Sequence, residues 1–243
     1  MDAQAFFKRA DQLPLAETTQ LLGNGGLLVI APHPDDEALG CGALIAAAAT
    51  EKRPIRIIVV TDGAGSHPKS KQYPPHRLRA QRREESRAGV AALGVDAETV
   101  RFLSLPDRAT PLSGPSADAA VDAIVEEALK VRAKALFVTW RNDAHSDHQA
   151  AYKMARRAQE NLKNVRLFEY SIWGRDLPPE IELPTSPSGW RFSIEAFRAR
   201  KQASIACYPS QVSDLISDDP YKLPDIVTRR AVELDEVFLE MPP

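Results

Sequence analysis

Two short clusters of histidine and carboxylate side chains could together bind a divalent metal ion. The first reads His-Pro-Asp-Asp-Glu at residues 33–37, and the second reads Asp-Ala-His-Ser-Asp-His at residues 143–148. Imidazole nitrogen and carboxylate oxygen are both ligands of zinc, and a catalytic zinc site usually has three protein ligands and one open position. The first cluster supplies one pair of ligands, His33 and Asp36, so a third ligand is expected from the second cluster.

Each cluster directly follows a short apolar segment that has the length of a buried strand. Residues 27–30, Leu-Leu-Val-Ile, precede the first cluster, and residues 135–138, Ala-Leu-Phe-Val, precede the second. In an open α/β sheet, ligands bind where the strands end, and parallel strands end at the same edge. The two clusters are therefore predicted to meet at one edge of a sheet, although they lie far apart in the sequence.

A purely structural role is the main alternative for the first cluster. Residues 38–49 are rich in alanine and leucine and predict a helix. Asp35 and Asp36 would then stand near the N-terminus of this helix, where backbone N–H groups favour negative charge. The second cluster, at the same predicted edge, favours metal binding over capping.

Apolar and helical segments alternate along most of the chain, which is typical of a doubly wound parallel sheet. The predicted strands are residues 27–30, 55–60, 100–103, 135–138 and 165–170, and the main later helices are residues 77–93, 117–132, 146–162 and 227–239. We predict a Rossmann-like α/β fold with a mostly parallel sheet and helices on both faces. The whole chain, 1–243, is predicted to be one domain, with a core at about 25–170 and a C-terminal extension at about 171–243 whose role is not assigned.

The composition is ordinary for a globular protein and argues against several functions. A net charge of −2 over 243 residues gives no indication of a nucleic-acid partner or a polybasic membrane surface. Two cysteines, Cys41 and Cys207, are too few for a disulfide framework, so a cytoplasmic location is expected. No signal peptide and no membrane span of roughly 20 apolar residues is predicted. The oligomeric state is left open.

The motifs resemble those of the LmbE-like, or PIG-L, family of zinc-dependent N-deacetylases. The specific match is the His33–Glu37 string together with His145-x-x-His148. Three weaker matches accompany it: Thr61-Asp-Gly63, Arg82-x-x-Glu85 and Leu105-Pro-Asp107. The resemblance covers roughly residues 27–170. Family members often have proline between the paired histidine and aspartate, where this chain has Ser146, but this change removes no ligand.

The resemblance implies a hydrolase that removes an acyl group, in the first place acetyl, from the nitrogen of an N-acetylglucosamine-type sugar or a related glycoconjugate. A metal held by His33, Asp36 and His148 would polarise the carbonyl group and acidify a bound water. Zinc is the expected ion, although Fe²⁺ accepts the same ligands. The identity of the small-molecule substrate is not predicted.

Other residues have expected roles beside the metal. Asp35 is adjacent to two ligands but is not needed as one, so it is the natural base to take a proton from water. A protonated His145 would stabilise negative charge on the carbonyl oxygen, and Asp147 could orient His145 or His148. Arg82, at a family position that contacts substrate, and Asp107 are expected to hold sugar hydroxyls or a neighbouring group.

Two other functions are compatible with parts of this pattern. A metal-dependent phosphoesterase would often use two metals and more carboxylates, whereas this chain offers one clear set of three ligands. A catalytically silent binding module on the same fold would typically have lost Asp35 or His145, and both are present. Deacetylation therefore remains the favoured hypothesis.

Overall fold

The computed structural model describes residues 1–183 and 185–240, which form a seven-stranded sheet with helices on both faces. The strands are β1 Leu27–Ala31, β2 Ile55–Thr61, β3 Val100–Leu105, β4 Ala135–Thr139, β5 Arg166–Tyr170, β6 Gly189–Phe192 and β7 Glu236–Leu239. The α-helices are α1 Ala3–Ala10, α2 Thr18–Leu22, α3 Asp36–Thr50, α4 Pro75–Ala92, α5 Pro115–Lys130, α6 Ser146–Glu160, α7 Arg198–Ile205, α8 Pro209–Val212 and α9 Asp225–Glu233. Within these residues, none of the helices has the length and apolar character needed to cross a bilayer. The mixed α/β architecture confirms the predicted fold class.

The strand order is β3-β2-β1-β4-β5-β7-β6, and the first five of these strands are parallel. β1 lies between β2 and β4, with Val29 beside Ile57 on one side and beside Phe137 on the other. From β1 the chain adds β2 and β3 on one side of the sheet, and it then crosses back to add β4 and β5 on the other side of β1. α/β sheets bind their ligands at the point where the strand order reverses in this way. Both His/Asp clusters lie here, because one follows β1 and the other follows β4.

The central strands are apolar on both faces because helices cover both faces of the sheet. Val29 of β1 lies in one buried cluster with Leu44 of α3. Its neighbour Ile30 lies in a second cluster with Ile124 of α5 and Met154 of α6. Burying one such side chain contributes roughly 1.5–3 kcal/mol. This two-sided core holds the ends of β1 and β4, and with them the two clusters, in fixed positions.

A glycine lets α3 approach the sheet directly behind the first cluster. Gly40 lies so close to the ring of Tyr170 on β5 that any Cβ at this position would collide with it. The Tyr170 hydroxyl donates a hydrogen bond of 2.9 Å to the carbonyl oxygen of Ile30, near the end of β1. Close packing at Gly40 therefore positions α3 against the strand that carries His33.

The sequence predicts a helix over residues 227–239, and this prediction is wrong beyond Glu233. Helix α9 ends there, and β7 then pairs antiparallel with β6 and contacts the edge of β5. The buried Glu236 carboxylate of β7 lies 2.6 Å from Lys201 Nζ. Sheet pairing and this buried ion pair override the apolar periodicity on which the helix prediction rested.

A buried carboxylate on α5 links this helix to two neighbouring strands. Glu127 accepts hydrogen bonds from Arg56 Nε of β2 at 2.5 Å, from Arg101 Nη1 of β3 at 2.8 Å and from Lys130 Nζ at 3.0 Å. Burial alone would raise the pKa of Glu127, but these hydrogen bonds outweigh burial and lower it. The ionised carboxylate therefore stabilises the folded chain.

We expect Glu127→Gln to lower the free energy of unfolding at pH 7 by roughly 1.5–3 kcal/mol, as for hydrogen bonds to a charged group. Since folding lowers this pKa, the stabilisation is present above the ordinary glutamate pKa and is lost as the pH falls through the folded value. Denaturant unfolding at decreasing pH should show the wild type and the variant converging. Asp122→Asn is the matched control, since Asp122 is an exposed carboxylate on the same helix. Equal destabilisation by both variants would contradict a specific role for Glu127.

Candidate functional site

Each cluster spans a strand-to-helix turn that directs its side chains beyond the edge of the sheet. α3 begins at Asp36, and the backbone N–H of His33 donates to Asp36 Oδ2 at 2.9 Å. α6 begins at Ser146, and His145 caps it by accepting the N–H of Asp147 on Nδ1 at 3.2 Å. These local hydrogen bonds, together with the parallel register of β1 and β4, bring the two clusters into one space.

Three side-chain atoms form a compact triangle at the centre of this space. Asp36 Oδ2 lies 3.2 Å from His33 Nδ1 and 3.3 Å from His148 Nε2, and the two nitrogens lie 3.3 Å apart. Ligands about 2.0–2.1 Å from a tetrahedral zinc ion are separated by about 3.3–3.4 Å. The donor atoms and their spacing therefore fit a tetrahedral metal ion with one position left open.

Carboxylates contact the other nitrogens of both histidines. His33 Nε2 lies 3.1 Å from Asp147 Oδ2, and His148 Nδ1 lies 3.6 Å from Asp143 Oδ2. Carboxylates in such places orient imidazole ligands and raise their basicity. Asp147 thus lies closest to His33 rather than to either histidine suggested by the sequence. Sequence reasoning missed the role of Asp143, although its place in the second cluster was a signal.

The negative charge around the triangle favours a cation there. Burial alone would lower the pKa of His148, but the Asp36 and Asp143 carboxylates outweigh burial and raise it to about 9. Burial opposes protonation of His33 as well, yet contacts with Asp107, Asp147 and Asp36 raise its pKa well above the ordinary value. The same carboxylates would attract a divalent ion, which competes with protons for the histidine nitrogens.

Asp35 lies beside the triangle without belonging to it. Its φ of 141° is unusual for a residue other than glycine, and such a conformation costs about 1–3 kcal/mol. Two contacts hold it: its N–H donates to Glu37 Oε2 at 3.0 Å, and its Oδ2 lies 3.1 Å from Arg82 Nη2. Burial raises the pKa of Asp35, the Arg82 charge lowers it, and the net value is about 8.

Glu37 connects this strained residue to the C-terminal extension. Its Oε1 accepts hydrogen bonds from Ser86 Oγ of α4 at 2.5 Å and from the Tyr208 hydroxyl at 2.8 Å. Next to Tyr208, the Ser210 hydroxyl and N–H donate to Glu85 at 2.5 and 2.9 Å. The extension therefore supports the turn that presents Asp35, a contact that the sequence alone did not predict.

Arg82 and Asp107 both reach the site but are anchored to the protein. The buried Arg82 guanidinium donates to the carbonyl oxygens of Pro34 at 2.7 Å and Gly63 at 3.1 Å, as well as to Asp35. Asp107 accepts the N–H of Gly65 at 2.8 Å, and its Oδ1 lies 3.4 Å from His33 Nε2. Arg82 is thus built into the wall of the site, where its charge acts on Asp35.

His145 is the most exposed of the three histidines at the site. Burial lowers its pKa, and the charges of His33 and His148 lower it further. In the neutral ring, Nδ1 accepts the Asp147 N–H, so the proton is on Nε2. The structure favours a neutral hydrogen-bond donor, which differs from the protonated His145 expected from the sequence.

An open cavity lies over the site. Six of the seven predicted site residues line it: His33, Asp35, Asp36, Arg82, Asp107 and His145. The seventh, His148, is fully buried behind them. The extension supplies further lining residues that sequence reasoning missed: Trp173, Gln211, Tyr221 and Leu223. Gln211 ends the segment Tyr208-Pro-Ser-Gln211, which resembles a family segment, but Trp173, Tyr221 and Leu223 lie far along the chain from both clusters and left no signal in the sequence.

The comparisons with known proteins identify the family of the chain and its fold. A family described as PIG-L, GlcNAc-PI de-N-acetylase, matches residues 28–159, just over half of the chain. N,N'-diacetylchitobiose deacetylase from Pyrococcus horikoshii, complexed with an inhibitor, is 18% identical, with coverage of 97% of this chain and 90% of that chain and a TM-score of 0.68. A zinc-inhibited form of teicoplanin deacetylase is 20% identical, with coverage of 88% and 96% and a TM-score of 0.62. The 4-carboxy-2-hydroxymuconate hydratase GalB from Pseudomonas putida is 18% identical, with coverage of 76% and 79% and a TM-score of 0.59.

Proposed function

Because the chain belongs to the PIG-L family, we propose that it is a metal-dependent hydrolase that removes an acyl group, in the first place acetyl, from the nitrogen of an amino sugar or a glycoconjugate. The observation that carries the proposal is the triangle of His33, Asp36 and His148 with the carboxylate of Asp35 beside it. Structural neighbours that are described as deacetylases support the proposal.

His33, Asp36 and His148 would hold the metal ion, with zinc as the first candidate and Fe²⁺ as the second. A divalent ion bound there would polarise the amide carbonyl and lower the pKa of a water molecule. Asp147 and Asp143 would keep the two imidazole rings turned toward the ion. The fit rests on the chemistry of the donor atoms and on their separations of 3.2–3.3 Å.

Asp35 would take a proton from the attacking water and deliver it to the leaving amine as the C–N bond breaks. The Arg82 guanidinium, 3.1 Å away, holds the Asp35 carboxylate in position and lowers its pKa, although burial keeps the net value at about 8. A divalent ion in the triangle would lower this pKa further, so that Asp35 is ionised when the metal is bound. His145 would donate a hydrogen bond from its Nε2–H to the carbonyl oxygen as negative charge develops there. Asp107, also in the cavity wall, would accept hydrogen bonds from sugar hydroxyls. The products are acetate and the free amine.

Metal removal tests this proposal directly. We expect elemental analysis to find one divalent ion per chain, and chelation to abolish acetate release from N,N'-diacetylchitobiose and N-acetylglucosamine. His148→Ala should lose most of the metal, whereas His76→Ala, an exposed histidine on α4, should keep it. Acetate must be measured itself, because a hydratase shares the fold. Full activity of metal-free protein in chelator would rule out the proposed mechanism.

A further inference from the structure

The mouth of the cavity contains an arginine whose guanidinium has no ion-pair partner among the described residues. Arg108 is exposed and lines the cavity. Among the described residues, no hydrogen bond or ion pair engages its guanidinium, whereas Arg82 deeper in the same cavity contacts Asp35 and two carbonyl oxygens. The Arg108 guanidinium is therefore available to a bound ligand.

The backbone that carries Arg108 is fixed beside the reacting centre. Its φ of 63° is left-handed, which is costly for a residue with a side chain. The Arg108 N–H donates to Asp147 Oδ2 at 2.7 Å, and the Thr110 N–H donates to Asp147 Oδ1 at 3.3 Å. Asp147 Oδ2 also lies 3.1 Å from His33 Nε2. One buried carboxylate thus orients a candidate metal ligand and anchors the segment that presents Arg108.

The charged residues that line the cavity determine which end of a substrate would enter first. At its inner end Arg82 already pairs with Asp35, and Asp36 and Asp107 lie beside the histidines, so no described arginine or lysine there is free to bind an anionic group. Arg108 is at the opening, and the aromatic side chains of Trp173 and Tyr221 also line the cavity. A substrate with a neutral acylamino end and an anionic end would enter with the acylamino group foremost.

On this basis, and resting on the proposed function, we infer that Arg108 binds an anionic group of the substrate, which is an N-acylated amino sugar with an acidic substituent. A guanidinium binds carboxylate or phosphate through two parallel hydrogen bonds, so both chemistries suit it. Arg108 is then a specificity-determining residue that acts on substrate binding and takes no part in bond breaking.

The test compares matched substrates with the metal-loaded enzyme. The probes are the neutral methyl glycoside of N-acetylglucosamine, its carboxymethyl glycoside, and the 1-phosphate and 6-phosphate of N-acetylglucosamine. The variants are Arg108→Gln, Arg108→Lys and the control Arg229→Gln, an exposed arginine on α9 that lines a different groove. Acetate release gives kcat and KM for each pair of enzyme and probe.

We expect at least one anionic probe to exceed the neutral probe in kcat/KM for the wild type. Arg108→Gln should reduce kcat/KM for that probe roughly 10- to 100-fold, mainly through KM, and leave the neutral probe unchanged. Arg108→Lys should retain part of the preference, and the control should retain all of it. The better anionic probe then distinguishes carboxylate from phosphate.

Two results would overturn the inference while leaving the proposed function intact: a wild-type enzyme that deacetylates the neutral probe at least as well as every anionic one, or an Arg108→Gln variant that loses activity equally on all probes. Failure of the metal-loaded wild type to release acetate from any probe would instead contradict the proposed function.

Discussion

Asp35→Asn should lower kcat for deacetylation roughly 100- to 10,000-fold, the usual contribution of a general base, and leave the metal content unchanged. Asparagine has the shape of aspartate and can still accept the hydrogen bond from Arg82, but it cannot take a proton from water. Asp35 lies outside the triangle of His33, Asp36 and His148, so its loss should not release the ion. Acetate-release kinetics and elemental analysis of the same preparation measure both quantities.

Asp36→Asn is the informative comparison for this variant, because the neighbouring carboxylate lies inside the triangle. It should lose metal and activity together. Near-normal turnover of Asp35→Asn would remove the base from the mechanism. Loss of metal from Asp35→Asn would instead make Asp35 a ligand and leave Asp36 as the candidate base.

His145→Ala should reduce kcat roughly 100- to 1,000-fold, as does removal of one hydrogen-bond donor to a developing oxyanion. Burial and the neighbouring His33 and His148 charges lower the pKa of His145, so above the ordinary histidine value of about 6.5 its ring is already neutral. The alkaline limb of the kcat/KM profile must then belong to another group. We therefore expect that limb to stay at the same pH in the variant while the rate falls.

His145→Gln offers a second test of the same role. Its amide N–H is a donor without a proton that titrates in this range, so it should recover part of the rate lost in His145→Ala. His76→Ala changes an exposed histidine that does not line the cavity, so it should match the wild type at every pH. Disappearance of the alkaline limb in His145→Ala would show that the working enzyme needs a protonated imidazole there.

Much of the architecture is encoded in contiguous residues. The apolar runs in β1 and β4 are unbroken, and the run in β2 is interrupted only at Arg56, because helices bury both faces of these strands, so their sequence alone identified them. Parallel strands end at one edge, and this rule was enough to predict that residues 33–37 and 143–148 meet. The separations of 3.2–3.3 Å among His33, Asp36 and His148 agree with that expectation, although their role as ligands stays a prediction.

The sequence determined which side chains gather at the edge of the sheet, because helical and strand periodicity and turn chemistry depend on near neighbours. Only the tertiary structure decided how they are arranged, because those contacts depend on the register of distant segments. It placed Asp147 against His33, Asp143 against His148 and the N–H of residue 147 against His145. It also made the C-terminal extension part of the cavity wall. Burial among charges that come from separate segments determines which groups hold protons, and no local pattern contains that information.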